Sequence, residues 1–220
     1  MPLSTVHLLR HGEVHNPDRV LYGRIPGFGL SDLGFKMAEG AGAYFAKHQE
    51  RGGRIVRLVA SPLIRAQQTA APTGQALELP ILTDDRVIEA ENKLQGLSNV
   101  ATHLKKPEYW PLLVNPLKPS WGEPYKQQVA RMREAMDFHR HEAVQEHGPD
   151  AEVVIVSHQL PIWVTRRDAE GKPLWHDPRK RECTLGSITS FDFEGDKLVS
   201  VRYTEPCPEL LAGAANIPGA

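Results

Sequence analysis

The chain has 220 residues and a mass of 24.5 kDa, room for one α/β domain with a sizeable core. Its 26 Lys+Arg against 27 Asp+Glu leave a formal net charge of -1, which argues against a global field drawing it to nucleic acid or an anionic membrane. With 40% hydrophobic and 24% charged residues, the composition is far from the disordered, collagen-like and membrane-spanning classes.

The N-terminus lacks the basic and apolar blocks of a signal peptide, and the longest plainly apolar run, Val153-Val154-Ile155-Val156, is too short to cross a bilayer. A cytoplasmic protein is expected. Thr5 to Leu9 reads as a short buried strand that runs into Arg10-His11-Gly12, where polarity and glycine announce a loop. Gly23 to Gly29 is loop by composition. Ser31 then offers an N-cap to a helix with Leu33, Met37, Ala41, Tyr44 and Phe45 on one face, weakened locally by Gly40 and Gly42.

Ile55 to Ala60 makes a second strand. Ser61-Pro62 is expected to open a helix, Ser as cap and Pro at the first position, so that Arg65 falls in a first turn directly after a strand. Leu97 to Trp121, rich in Pro and aromatic residues, has no clean period and reads as a short helical excursion outside the sheet. From Pro124 the spacing of Tyr125, Val129, Met132, Met136, His139 and Ala143 predicts one face of a long helix ending near Gly148-Pro149.

Val153 to Val156 is a third buried strand, and Ser157-His158-Gln159 follows it as Arg10-His11-Gly12 follows the first. Late strands are expected at Leu185 to Phe193 and Lys197 to Tyr203, joined by a turn at Glu194-Gly195-Asp196. Residues 205–220, built from Pro, Gly and Ala, read as a C-terminal tail, draped on the body or disordered. The alternation of strand and helix predicts an α/β sandwich with a mainly parallel sheet. Cys183 and Cys207 are not spaced as CxxC and are expected to be reduced structural thiols.

A parallel sheet would deliver His11 and His158 to one edge, with Arg10 and Arg65 beside them. Two guanidinium groups and two imidazoles form a cationic pocket whose natural occupant is a phosphoryl group. Zinc bound by His7, His11 and His15 is the competing reading, but a strand turning into a loop need not bring the three together, and no carboxylate nearby has ligand spacing. No metal and no cofactor is expected. P-loop, dinucleotide and Gly-x-Ser-x-Gly signatures are absent from the sequence.

Three blocks together, Arg10-His11-Gly12-Glu13, Ser61 to Ala70 and Ser157-His158-Gln159, resemble the histidine phosphatase superfamily in its phosphoglycerate mutase-like branch, over about residues 5 to 204. The resemblance implies a three-layer α/β/α sandwich with a mixed, mainly parallel sheet. It implies that His11 is the nucleophile that becomes phosphorylated, that Arg10, Arg65 and His158 hold the phosphate, and that Glu89 protonates the leaving oxygen. Asn16 and Gln159 are further candidates for phosphate contact.

Two departures stand out. Val14 follows Glu13 where many members carry Thr or Ser, which displaces Asn16, and Glu91 competes with Glu89 for the acid role. The function expected is hydrolysis of a phosphorylated small molecule, without nucleic acid or membrane as partner. A phosphoglycerate-type mutase and a non-catalytic phosphate-binding module are the alternatives.

Overall fold

The structure is a computed structural model that describes residues 3–98, 100–103, 106–113 and 121–214. In chain order the first half runs through β1 (Ser4–Arg10), α1 (Asp32–Glu50), β2 (Ile55–Ala60), α2 (Ile64–Leu77), β3 (Ile81–Thr83) and the one-turn α3 (Val100–His103). Then follow α4 (Tyr125–His147), β4 (Glu152–Ser157), α5 (Gln159–Ala169), β5 (Ile188–Glu194) and β6 (Lys197–Thr204). The six strands form one sheet in the order β3-β2-β4-β1-β5-β6, parallel from β3 to β1 and antiparallel at β5 and β6. The mixed, mainly parallel sheet expected from the sequence is present.

Every residue of β1 is buried, as a strand covered by helices on both faces must be. Its side chains alternate between two cores. Val6 and Leu8 pack with Val153, Ile155, Met132 and Ile162 on the α4–α5 side. Leu9 packs with Val154, Leu58, Phe45 and Ala66 on the α1–α2 side. The predicted stripe of α4, from Tyr125 to Ala143, is buried throughout.

Helix α1 is capped by Ser31, whose Oγ accepts from the Gly34 N–H at 3.0 Å. Its glycines do not break it, because tertiary contacts use them. Gly42 lets Pro72 of α2 approach, and Gly40 leaves room for the Cys207 sulfur, against which a Cβ would collide. The described part of the tail therefore lies on α1, with a 3₁₀ turn at Pro208–Gly213; 215–220 fall outside the described residues.

Helix α2 departs from expectation. It begins at Ile64 with Leu63 as N-cap, whose apolar side chain can accept no bond, and the Ser61 hydroxyl reaches only the Leu63 N–H, at 3.4 Å, before the helix begins. The excursion holds α3 and a 3₁₀ segment at Pro107–Leu113, while 114–120 lie outside the described residues. Among the described residues no helix is long and apolar enough to cross a membrane, and Cys183 and Cys207 are free thiols.

Candidate active site

Parallel register brings three strand ends to one edge. Arg10 pairs with Ser157 across β1 and β4, and Ala60 with Val156 across β2 and β4, so His11, Ser61 and His158 emerge together. The loop after β1 is pinned on both sides. Arg10 N–H donates to the Ser187 carbonyl at 2.9 Å and His11 N–H to that of Ser157 at 3.1 Å. A Cβ on Gly12 would meet the Gly34 carbonyl oxygen at 2.5 Å, so the glycine is required by close approach to α1. The Gly12 N–H donates to Thr69 Oγ1 at 3.1 Å, and that hydroxyl donates to the Arg65 carbonyl at 2.7 Å. The first turn of α2 is thereby fastened to the histidine loop.

His11 is completely buried, and its Nδ1 lies 2.7 Å from the Gly12 carbonyl oxygen. A carbonyl can only accept, so Nδ1 carries the proton and the Nε2 lone pair is left bare. That Nε2 is buried without a hydrogen-bond partner. Burial first, then the Arg65 and Arg10 guanidinium groups, hold His11 well below the ordinary imidazole pKa. The ring is neutral at pH 7.

The His158 ring is centred 5.1 Å from that of His11. Its Nε2 is 2.8 Å from Ser61 Oγ, and its Nδ1 is buried and unpartnered. Its pKa is likewise depressed, by burial foremost and then by Arg65. Ser61 is thus a neighbour of the histidine pair rather than a helix cap. Arg10 and Arg65 are both 1% exposed. Arg10 Nη1 donates to the Cys183 carbonyl and Arg65 Nη2 to that of Gly23, each at 2.7 Å. Arg65 also stacks over Tyr22, 4.7 Å from the ring centre. A backbone carbonyl thus helps to orient each fork.

Glu89 follows a 3₁₀ turn at Asp85–Val87 that is tied to β4 by Ser157 Oγ, which donates to the Val87 carbonyl at 2.7 Å. Its side chain is buried and accepts from the Ala90 N–H at 2.7 Å. Burial pushes its pKa up, against the downward pull of the Ala90 bond and of Arg65 and Arg10. A cavity of about 230 Å³ opens beside it, lined by Glu89, Glu91, Glu123, Trp121, Gln159 and Arg181 among others.

The remaining candidates have local roles. Asn16 closes its own loop, its Nδ2 donating to the Val20 carbonyl at 2.8 Å and its Oδ1 accepting from the Val20 N–H at 3.0 Å. Gln159 is buried; it donates to the Cys183 carbonyl at 3.3 Å and accepts from Arg181 Nη1 at 3.1 Å. His15 is exposed and His7, in the middle of β1, is bound to Glu152 at the start of β4, so neither joins His11. Arg24, which donates to the Glu89 carbonyl at 2.7 Å, and Arg181 are additions from the structure. Arg181 sits in the run Arg179-Lys180-Arg181, which by pattern alone is a solvated surface.

The bare imidazole nitrogen of His11 lies among buried guanidinium groups, and the Glu89 carboxyl of raised pKa is within electrostatic reach of Arg65 and Arg10. The family model of the histidine phosphatase superfamily (branch 1) matches residues 6–206. The chain belongs to that superfamily. Its members are phosphatases and mutases, so membership supports chemistry of that type.

The chain is 46% identical over 209 residues to the uncharacterized protein Rv0525 of Mycobacterium tuberculosis, covering 94% of this chain and 98% of that one. Among solved structures it is similar to mycobacterial hydrolase 2, with a TM-score of 0.72, 24% identity and coverage of 93% and 89% of the two chains. It is also similar to the mycobacterial glucosyl-3-phosphoglycerate phosphatase Rv2419c in complex with inorganic phosphate. There the TM-score is 0.68 and the identity 25%, over 91% of this chain and 94% of that one.

Proposed function

We propose that the protein hydrolyses phosphomonoesters through a phosphohistidine at His11. The observation that carries this reading is the His11 ring, whose Nδ1 is committed to the Gly12 carbonyl and whose buried Nε2 is bare. In the first step the Nε2 lone pair attacks phosphorus while the bond to the ester oxygen breaks. Glu89, whose pKa is raised by burial, gives its proton to that oxygen. Arg10, Arg65 and His158 take the equatorial oxygens, and the charge of the two arginines balances that of the transferred group. Water then attacks phosphorus, the Glu89 carboxylate accepts its proton, and the bond to nitrogen breaks to release phosphate. No step is routed through a metal.

Hydrolysis is favoured over a mutase reaction by the cavity beside Glu89. Glu89, Glu91 and Glu123 line it, and Arg181 is its one basic lining residue among those described. Such a wall is poorly suited to retaining a second phosphate for return to the enzyme. The similarity to the phosphatase Rv2419c supports the same choice. Asn16 and Gln159 have their polar groups engaged locally and serve the pocket by shaping its loops.

Rapid quench with a labelled phosphomonoester, followed by mass spectrometry, should place acid-labile phosphate on His11, with free phosphate released in step with alcohol. In His11→Ala the label should vanish and turnover fall on the order of 10⁶-fold, the scale set by removal of a covalent nucleophile. Label and turnover retained in that variant would refute the reading. Phosphate returned to a second acceptor rather than released would make the enzyme a mutase.

A further inference from the structure

At the opposite end of the sheet from His11, three side chains from three elements meet around one carboxylate oxygen. Glu152 Oε2, at the start of β4, lies 2.8 Å from His7 Nε2 on β1 and 2.6 Å from His48 Nε2 in the last turn of α1. The three atoms fall within 4.8 Å of one another, the one group of this kind among the described residues. His7 Nδ1 is 2.8 Å from Ser190 Oγ on β5, and Glu152 Oε1 accepts from the Arg54 N–H at 3.3 Å. Phe45 walls the site, its ring centre 5.5 Å from that of His7. Gly53 passes so close to the His48 ring that a Cβ there would overlap it.

We propose that His7, His48 and Glu152 bind a divalent transition-metal ion of the zinc class, as a cross-tie remote from the catalytic edge. Two imidazole nitrogens and one carboxylate oxygen are an established donor set for such ions, with water completing a tetrahedron. Bond lengths near those of zinc place neighbouring donor atoms roughly 3.3 Å apart. The two nitrogens need retreat from Glu152 Oε2 by only roughly 0.5 to 0.7 Å, within the reach of small side-chain rotations. Side-chain exposures of 32% for His48 and 13% for Glu152 leave an entry path.

The surrounding contacts suit both the empty and the loaded state. Without metal, each Nε2 carries the proton that it donates to Glu152, and the Ser190 hydroxyl donates to His7 Nδ1. With metal bound at both Nε2 atoms, each ring moves its proton to Nδ1, and the Ser190 hydroxyl accepts where it had donated. The ionised carboxylate needs no proton change, so the exchange balances. Such an outer-shell partner fixes the ring plane of a metal-binding histidine. The ion would join α1 to β1 and β4 at a point roughly 13 Å from His11, four strand residues away.

Calorimetric titration of dialysed full-length protein with Zn²⁺ tests the site, with Co²⁺ visible spectra reporting the geometry. One equivalent is expected, retained in His11→Ala, and a rise in Tm with saturating Zn²⁺ should accompany it. His48→Ala and Glu152→Gln should each weaken binding well beyond tenfold and abolish the Tm rise. Ser190→Ala should weaken it by about tenfold, as for other outer-shell losses. His48 is partly exposed, so its variant is expected to fold even if Glu152→Gln does not. No bound equivalent, an equivalent that survives His48→Ala, or one lost in His11→Ala would overturn the proposal and leave the trio a hydrogen-bonded brace.

Discussion

His7 and His11 stand four residues apart on one strand and its loop, and both are buried with imidazole pKa values lowered chiefly by that burial. Their partners separate them. Both ring nitrogens of His7 are satisfied, by Ser190 and Glu152, whereas only Nδ1 of His11 is. Burial and a shifted pKa therefore do not by themselves mark a reactive group; a bare atom beside charged groups does. A bare atom alone is also insufficient. His139 Nδ1 is unpartnered too, but its Nε2 is spent on Asp84 at 2.8 Å in an ion-paired brace with Arg86. At the edge where catalysis is proposed, the bare nitrogen of His11 lies beside a second depressed imidazole and two guanidinium groups, and that combination sets His11 apart from His7.

The strongest way to sharpen the contrast, after removal of His11 itself, is through Glu89. Glu89→Gln should slow an alkyl phosphate about 10²- to 10⁴-fold, the range for loss of a general acid. An aryl phosphate such as p-nitrophenyl phosphate, whose leaving group hardly needs a proton, should be much less affected. The sign with pH follows from burial, which raises the Glu89 pKa. The acid is active while protonated, so alkyl phosphate turnover falls as pH rises through that raised value, and the alkaline limb disappears in Glu89→Gln. Equal losses on both substrates would move the acid role elsewhere, and the same comparison on Glu91→Gln shows whether it lies two residues on.

Arg65 tests the electrostatic half of the contrast. Its fork is anchored on the Gly23 carbonyl and stacked on Tyr22, so Arg65→Ala removes charge from the bare nitrogens of both histidines. Turnover should drop about 10²- to 10³-fold, the effect of losing one preorganised charge-stabilising donor. Competitive inhibition by inorganic phosphate should weaken with it. Arg65→Lys should recover little, because an ammonium reproduces neither the planar fork nor the stacking. Wild-type turnover and phosphate inhibition in Arg65→Ala would mean that the phosphoryl group is bound elsewhere.

How much of this was legible in the sequence depended on whether the signal was local. Strands β1, β2 and β4 are apolar runs that end in polar residues, and the buried stripe of α4 repeats at helical spacing. His11 and His158 could be placed because each follows such a run, and Arg65 because a helix-start signal follows β2. Strand β3 has only three residues and no period to detect. Helix α5 carries, just after Gln159, the apolar run Leu160-Pro161-Ile162-Trp163-Val164, which fits a strand or a helix equally. Ser61 carries a helix-start signal, yet its hydroxyl serves His158, a partner 97 positions away. The same distance problem hides Arg181 behind the charge run around it, and it hides the trio of His7, His48 and Glu152, whose last two members are 104 positions apart. Contacts of that range are set by strand order, which pattern along the chain does not encode.

The smallest effect, and the one that would break the comparison outright, belongs to His7. His7→Ala removes a ring that satisfies Ser190 Oγ and shares Glu152 with His48, and it opens a gap beside Phe45. The cost expected for leaving a buried polar group without its partner is about 1–3 kcal/mol of stability. For a chain of this length that corresponds to a few degrees in Tm, about 2–4 °C for each kcal/mol. Turnover should stay at the wild-type level below the transition, because the ring lies roughly 13 Å from the reacting nitrogen at four strand residues' distance and holds no part of the phosphate clamp. His11→Ala should give the mirror image, with turnover abolished and Tm unchanged or raised, since a buried imidazole with an unsatisfied nitrogen is itself a burden on the fold. Thermal denaturation and turnover measured on the two variants side by side decide the matter. If His7→Ala lost activity while keeping its Tm, the two histidines would be one functional unit, and a full set of hydrogen-bond partners could no longer serve to tell a structural histidine from a catalytic one here.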